Sequence, residues 1–145
     1  MAQPCIYKPL RIRHAIRLIK MLPDRVDNRV VCILHHFDQA EAPPYHALSY
    51  LWGDSTPVES IYLGDDPDHT YLSPLHENIL VFLGCMWEQR MYDKFFWTDC
   101  LCLNQKDNEE KAQQVPHMGD LYANANDVLI WLGRESEKEE KLRTI

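Results

Sequence analysis

The chain has 145 residues, 46% apolar and 26% charged, which suits one globular domain with a real core and leaves too little for two. A formal net charge of −7 with no basic stripe argues against nucleic acid as the main partner, and no apolar run is long enough to span a membrane. Lys8, Arg11, Arg13 and Arg17 interrupt the first apolar residues, which excludes a secretory signal, so the five scattered cysteines (Cys5, Cys32, Cys85, Cys100, Cys102) read as reduced intracellular thiols.

In chain order, Ile12, Ile16 and Ile19 recur at helical spacing and predict an opening helix, with the Lys and Arg residues between them as its solvated face. Asp24–Arg29 reads as a turn and Val30–Leu34 as a strand. His35 and His36 follow; adjacent strand residues point to opposite faces, so the two histidines do not readily share a metal ion. Glu41–Pro44 is a loop, because neither proline donates to a ladder. Tyr45–Tyr50 is a second strand, running into Leu51-Trp52-Gly53-Asp54. There Gly53 can take the positive φ of a tight turn and Asp54 can close it. Trp52, at the strand exit, reads either as core or as a stacking wall for a flat ring.

Ser60–Leu63 and Thr70–Leu72 flank a polar loop and predict a hairpin. Ser73-Pro74 then reads as the cap and first position of a helix with Leu75, Ile79, Phe82, Leu83 and Met86 as its apolar stripe. Gly84 weakens that helix near its end. Phe95–Thr98 follows, aromatic and apolar enough for a strand buried on both faces. Polarity flips at once after it, with Asp99, Asn104, Gln105 and Asp107. Asp107 predicts a helix N-cap, and Glu110 three residues on has the spacing to reach back in a capping box. The second helix is expected to bury Ala112, Val115, Met118, Leu121, Tyr122 and Ala125, with a kink at Pro116. Val128–Leu132 reads as another buried strand, stopped by Gly133. The charged residues Arg134–Ile145 read as the start of a helix cut short, hence as part of a longer protein. Alternating strands and helices from 45 to 132 predict an α/β domain with at least three core strands.

A buried strand that releases carboxylates and amides before a helix N-terminus is where α/β proteins often place their sites. Each polar residue here also has a structural reading: Glu110 as a cap only, and Asp99, Asn104 and Gln105 as a network pinning one loop to another. Cys100 and Cys102 would share a side on an extended segment, but no second pair stands at zinc-ligand spacing, so two small buried thiols is the better reading.

The pattern from Tyr45 to Gly133 resembles the fungal heterokaryon-incompatibility (HET) domain. Tyr45, Ala47, Leu48, Ser49, Tyr50, Trp52, Gly53 and Asp54 match its first block. Trp97, Asp99, Cys102, Asn104, Gln105, Glu110 and Lys111 match the second, and Gln114, Val115, Met118, Tyr122, Trp131, Leu132 and Gly133 complete it. Thr98, Leu103 and Leu51 are mild departures, and Pro116 falls inside the Gln-Val-x-x-Met helix. The resemblance implies one HET domain over residues 1–145, cytoplasmic, acting in non-self recognition that ends in cell death. Its partners would be further copies of itself or an upstream receptor. It also implies a distant likeness to TIR domains, hence a mostly parallel, TIR-like or flavodoxin-like sheet with an added hairpin, no required cofactor, and NAD as a candidate substrate. On that reading Glu110 is the catalytic carboxylate beside the ribose and Trp52 the wall for the leaving ring. Ser49, Gly53, Asp54, Asn104 and Gln105 would hold ribose and phosphate, and Asp99 would orient a ribose hydroxyl or fasten the Trp52 loop. The competing implication is a module that kills by assembly or recruitment and has no chemistry of its own.

Overall fold

A computed structural model describes residues 7, 15–50, 56–131 and 142–144. Its strands are β1 (Ala15–Met21), β2 (Val31–Asp38), β3 (Tyr45–Tyr50), β4 (Pro57–Asp66), β5 (His69–His76), β6 (Phe95–Trp97), β7 (Asp127–Trp131) and β8 (Leu142–Thr144). They form one sheet in the order β5-β4-β2-β1-β6-β3-β7-β8. The helices are α1 (Glu77–Glu88), α2 (Asp99–Cys102), α3 (Asn108–Gln114) and α4 (Met118–Asn124).

The fold is α/β as expected, but the sheet is mixed rather than mostly parallel. β2 and β4 run parallel, as do β6, β3 and β7; β1 is antiparallel to both its neighbours, and β4–β5 and β7–β8 are antiparallel pairs. The parallel trio has its first strand, β3, between its second, β6, and its third, β7. Their carboxyl ends carry the segments following Tyr50, Trp97 and Trp131.

Residues 15–21 are a strand, not a helix. Ala15, Ile16, Arg17, Leu18, Ile19 and Met21 are all buried, because β1 lies mid-sheet with both faces covered. Such a strand shows no polar–apolar alternation, and its apolar run mimics a helical stripe. The turn after it is a two-residue loop in which Asp27 and Asn28 take positive φ (51° and 63°), a conformation Asp and Asn tolerate and hairpin twist favours.

The hairpin of β4 and β5 is longer than expected. Ser73 and Pro74 belong to β5, paired with Ile61 and Ser60, rather than opening a helix. Pro74 is tolerated because β5 is the sheet's last strand, where a missing N–H need break no ladder bond. Helix α1 starts three residues after Pro74, at Glu77, and Ile79, Phe82, Leu83 and Met86 are buried as its stripe requires.

Pro116 does more than kink the second helix. A 3-10 turn, Val115–His117, divides it into α3 and α4. Val115 is 53% exposed and Ala112 is also exposed, so neither packs inward; Leu121 of α4 does. The buried residues of α3 are polar, Glu110 and Gln114, one turn apart on one face. At the other end of the chain, Leu142–Thr144 pairs antiparallel with β7 as β8, where a truncated helix was expected. Residues 134–141 lie outside the described residues.

Candidate functional site

The polar block folds around one residue of β1. Arg17 has a fully buried side chain and meets Glu110 with both terminal nitrogens: Nη1 donates to Oε2 at 2.7 Å and Nη2 to Oε1 at 2.5 Å. This is the planar two-point geometry that guanidinium and carboxylate share. Arg17 Nη1 also donates to the Cys102 carbonyl at 3.2 Å, at the end of α2. The Tyr7 ring lies 4.9 Å from the guanidinium carbon, and its hydroxyl donates to the Leu101 carbonyl. Burial, above all, raises the Tyr7 pKa.

Glu110 is 6% exposed. Besides Arg17, it accepts the Asn104 backbone N–H at 2.6 Å. The expected capping box is therefore half present. Asp107 does cap α3, accepting from the amides of Glu109 and Glu110. Glu110, however, turns inward to Arg17 and Asn104, and the Asp107 N–H donates to the Asn104 carbonyl. A buried guanidinium within reach is a stronger partner for a carboxylate than one exposed amide. One turn on, Gln114 donates to the Ala15 carbonyl, a second tie from α3 to β1.

Asn104 and Gln105 serve the same loop. The Asn104 side chain accepts the Lys106 N–H, closing a short turn, and Gln105 donates to the Asp99 carbonyl. Asp99 opens α2 directly beyond the carboxyl end of β6. Its charge weighs on His76, at the N-cap of α1, and on Tyr122 of α4. The structure thus brings Asp99, Asn104, Gln105 and Glu110 into one loop system, with Ser49 half-buried near the end of β3. Trp52, Gly53 and Asp54 lie outside the described residues.

Three contributors escaped sequence reading. Arg17 was placed on a solvated face, and its strand context is what would have located it; Tyr7 and His76 carried no signal of their own. Cys100 and Cys102 lie on the single helical turn of α2, not on an extended segment. Cys102 is buried, takes the Thr98 N–H at 3.5 Å, and has its pKa raised mainly by burial. The Cys32 thiol is likewise pushed up to about 12, so neither is poised to react at neutral pH. His35 and His36 do point apart: His35 meets the edge of Phe95, and His36 lies 3.5 Å from Asp65. Among the described residues no group of three metal-ligating side chains occurs, and no helix is long and apolar enough to cross a membrane.

Burial lowers the pKa of His76 against the opposing charge of Asp99, and lowers that of His35 with help from Lys20. The folded chain therefore favours both imidazoles neutral, and the unfolded chain takes up protons first as pH falls. Their stabilising contribution is whole above about pH 6.5 and is lost as pH drops through the lowered folded values. Denaturant midpoints should fall from about pH 7.5 to about pH 5.5, and a His35→Gln/His76→Gln chain should lose most of that slope.

Comparison with known proteins gives the same answer as the motif blocks. The family model described as "Heterokaryon incompatibility protein (HET)" matches residues 45–145. Heterokaryon incompatibility protein 6, OR allele, of Neurospora crassa is 34% identical over 126 residues, 81% of this chain. The aligned part is 18% of that relative's length, so the chain spans under a fifth of it. No solved structure matches the chain. A HET model covering most of the chain, from the first residue of β3 onward, together with this relative, establishes that the chain belongs to the heterokaryon-incompatibility (HET) family.

Proposed function

We propose that this domain is an effector of fungal non-self recognition, and that it triggers incompatibility cell death through self-association or recruitment rather than through chemistry at Glu110. The observation that carries this reading is the burial of Glu110 behind Arg17. A glycohydrolase carboxylate must face the ribose to stabilise an oxocarbenium-like transition state. Here both oxygens of Glu110 are engaged by Arg17, and one also by the Asn104 amide. The polar motif then acts as a clasp that fixes the α2–α3 loop against β1.

One observation favours a second reading, NAD hydrolysis. The parallel trio β6-β3-β7 has the second-first-third order of a doubly wound sheet, and such sheets bind ligands at their carboxyl ends. Ser49 and Asp99 stand at those ends, where Asp99 would orient a ribose hydroxyl and Trp52 would stack on the leaving ring.

The test is to express the domain in a fungal host, score growth arrest, and assay the purified chain for nicotinamide release from NAD. The Arg17→Met/Glu110→Leu chain is run beside the wild type, with its fold checked by circular dichroism. Growth arrest by both without nicotinamide release is the expected result. Release by the wild type and not by the folded double variant would overturn it in favour of the hydrolase.

A further inference from the structure

The last strand of the sheet, β5, has an open edge among the described residues. Eight residues make it longer than most edge strands, and His69-Thr70-Tyr71-Leu72-Ser73-Pro74-Leu75-His76 contains no Lys, Arg, Asp or Glu. Sheet edges are ordinarily blunted by charge, by proline or by shortness, and here only Pro74, near one end, does so. Of the five large apolar side chains exposed among the described residues, Val58, Tyr71 and Leu72 lie on the β4–β5 hairpin. Leu72 is 54% exposed and Tyr71 39%. They point to opposite faces of the sheet, so an added strand would cover apolar surface on both.

We infer that β5 is a docking edge for a second copy of this chain, the two β5 strands pairing antiparallel about a two-fold axis at Leu72. Charge selects the partner, and the open stretch of the strand sets the register. Two chains of net charge −7 repel over most of their surface, and an uncharged strand is a seam where they can meet. Leu75 and His76 are buried, so the open stretch is His69–Pro74, and pairing about Leu72 sets each Tyr71 opposite Ser73 and each Thr70 opposite Pro74. A two-fold pairing also closes on itself and leaves no free β5 edge to extend into a fibre.

This inference deepens the assembly reading above, and its consequence for cell death rests on that reading. Sedimentation velocity on the purified chain over a concentration series should show a monomer–dimer equilibrium. Leu72→Lys, a change at an exposed position, should shift it to monomer with an unchanged circular-dichroism spectrum. Leu72→Cys should give a disulfide-linked dimer on oxidation, absent from the wild type. In the wild type, hydrogen exchange at residues 69–76 should slow as concentration rises. A wild type that is monomeric throughout overturns the inference, as does a dimer indifferent to Leu72→Lys. Slow exchange in a monomer overturns it too, since a segment of the same chain would then cover the edge. If the dimer is lost in Leu72→Lys while growth arrest persists, the docking edge stands and the assembly reading of function falls.

Discussion

Truncating Arg17 to alanine is expected to cost the domain about 3–5 kcal/mol, a large part of a typical total of about 5–15. Removing the guanidinium leaves the Glu110 carboxylate at 6% exposure with only the Asn104 amide to solvate it. It also frees the Cys102 carbonyl and unseats the Tyr7 ring. Glu110→Gln belongs to the same class, because it strands a charged guanidinium with a fully buried side chain. The double replacement Arg17→Met/Glu110→Leu removes both charges together and should recover most of that loss. A residual of about 1–3 kcal/mol is expected from the unpaired Asn104 N–H. Urea midpoints for the three chains check this, and equal destabilisation of the double and single variants would count against a coupled pair. The consequence for function is direct. Loss of toxicity in a Glu110 variant is not by itself a sign of catalysis, since the same change is expected to loosen the loop that carries Asp99, Asn104 and Gln105.

How much of this was legible in the sequence depended on how each element is buried. β3 was found with its limits intact, because a proline pair before it and a Trp-Gly-Asp sequence after it bracket an apolar run. The Asp107 cap was legible for a local reason: a side chain satisfying amides two and three residues on needs no tertiary partner. β1 was not. A strand covered on both faces lacks period-two alternation, and Ile16 and Ile19 happen to stand a helical turn apart. That error hid Arg17, since an arginine on an amphipathic helix belongs in solvent, whereas one in a central strand must find a carboxylate. The same partner decided α3. Its inward face was sought among apolar residues, but it carries Glu110 and Gln114, because what they face across the loop is Arg17 and a strand carbonyl. Pairings 93 and 99 residues apart in the chain leave no local pattern to read. The HET motif pointed to Glu110 and Gln114, but their partners Arg17 and Ala15 lie before it in the chain.

Of the described glycines, Gly64 should be the one least able to accept a methyl. β4 is paired on both sides, with Gly64 opposite Ile33 of β2 and Thr70 of β5. A Cβ there would lie 1.9 Å from the His69 carbonyl oxygen and 2.9 Å from the Thr70 Cα. Both are backbone atoms, so no rotamer change can relieve the overlap and the start of β5 must move away. The register of the hairpin is already irregular between Gly64 and Asp66, so the strain falls where the ladder is least able to absorb it. A cost of about 3 kcal/mol or more is expected, with faster hydrogen exchange in β5 and loss of β5-mediated pairing. Gly84 is the matched control. It sits inside α1 with nothing within 4 Å of an added Cβ, so Gly84→Ala should stabilise the chain by about 0.5–1 kcal/mol through helix propensity. Opposite signs at the two positions would show that the cost at Gly64 comes from the close approach of β5 to β4 and not from an added methyl as such. A neutral Gly64→Ala would mean that β5 does not sit against β4 as closely as these distances require.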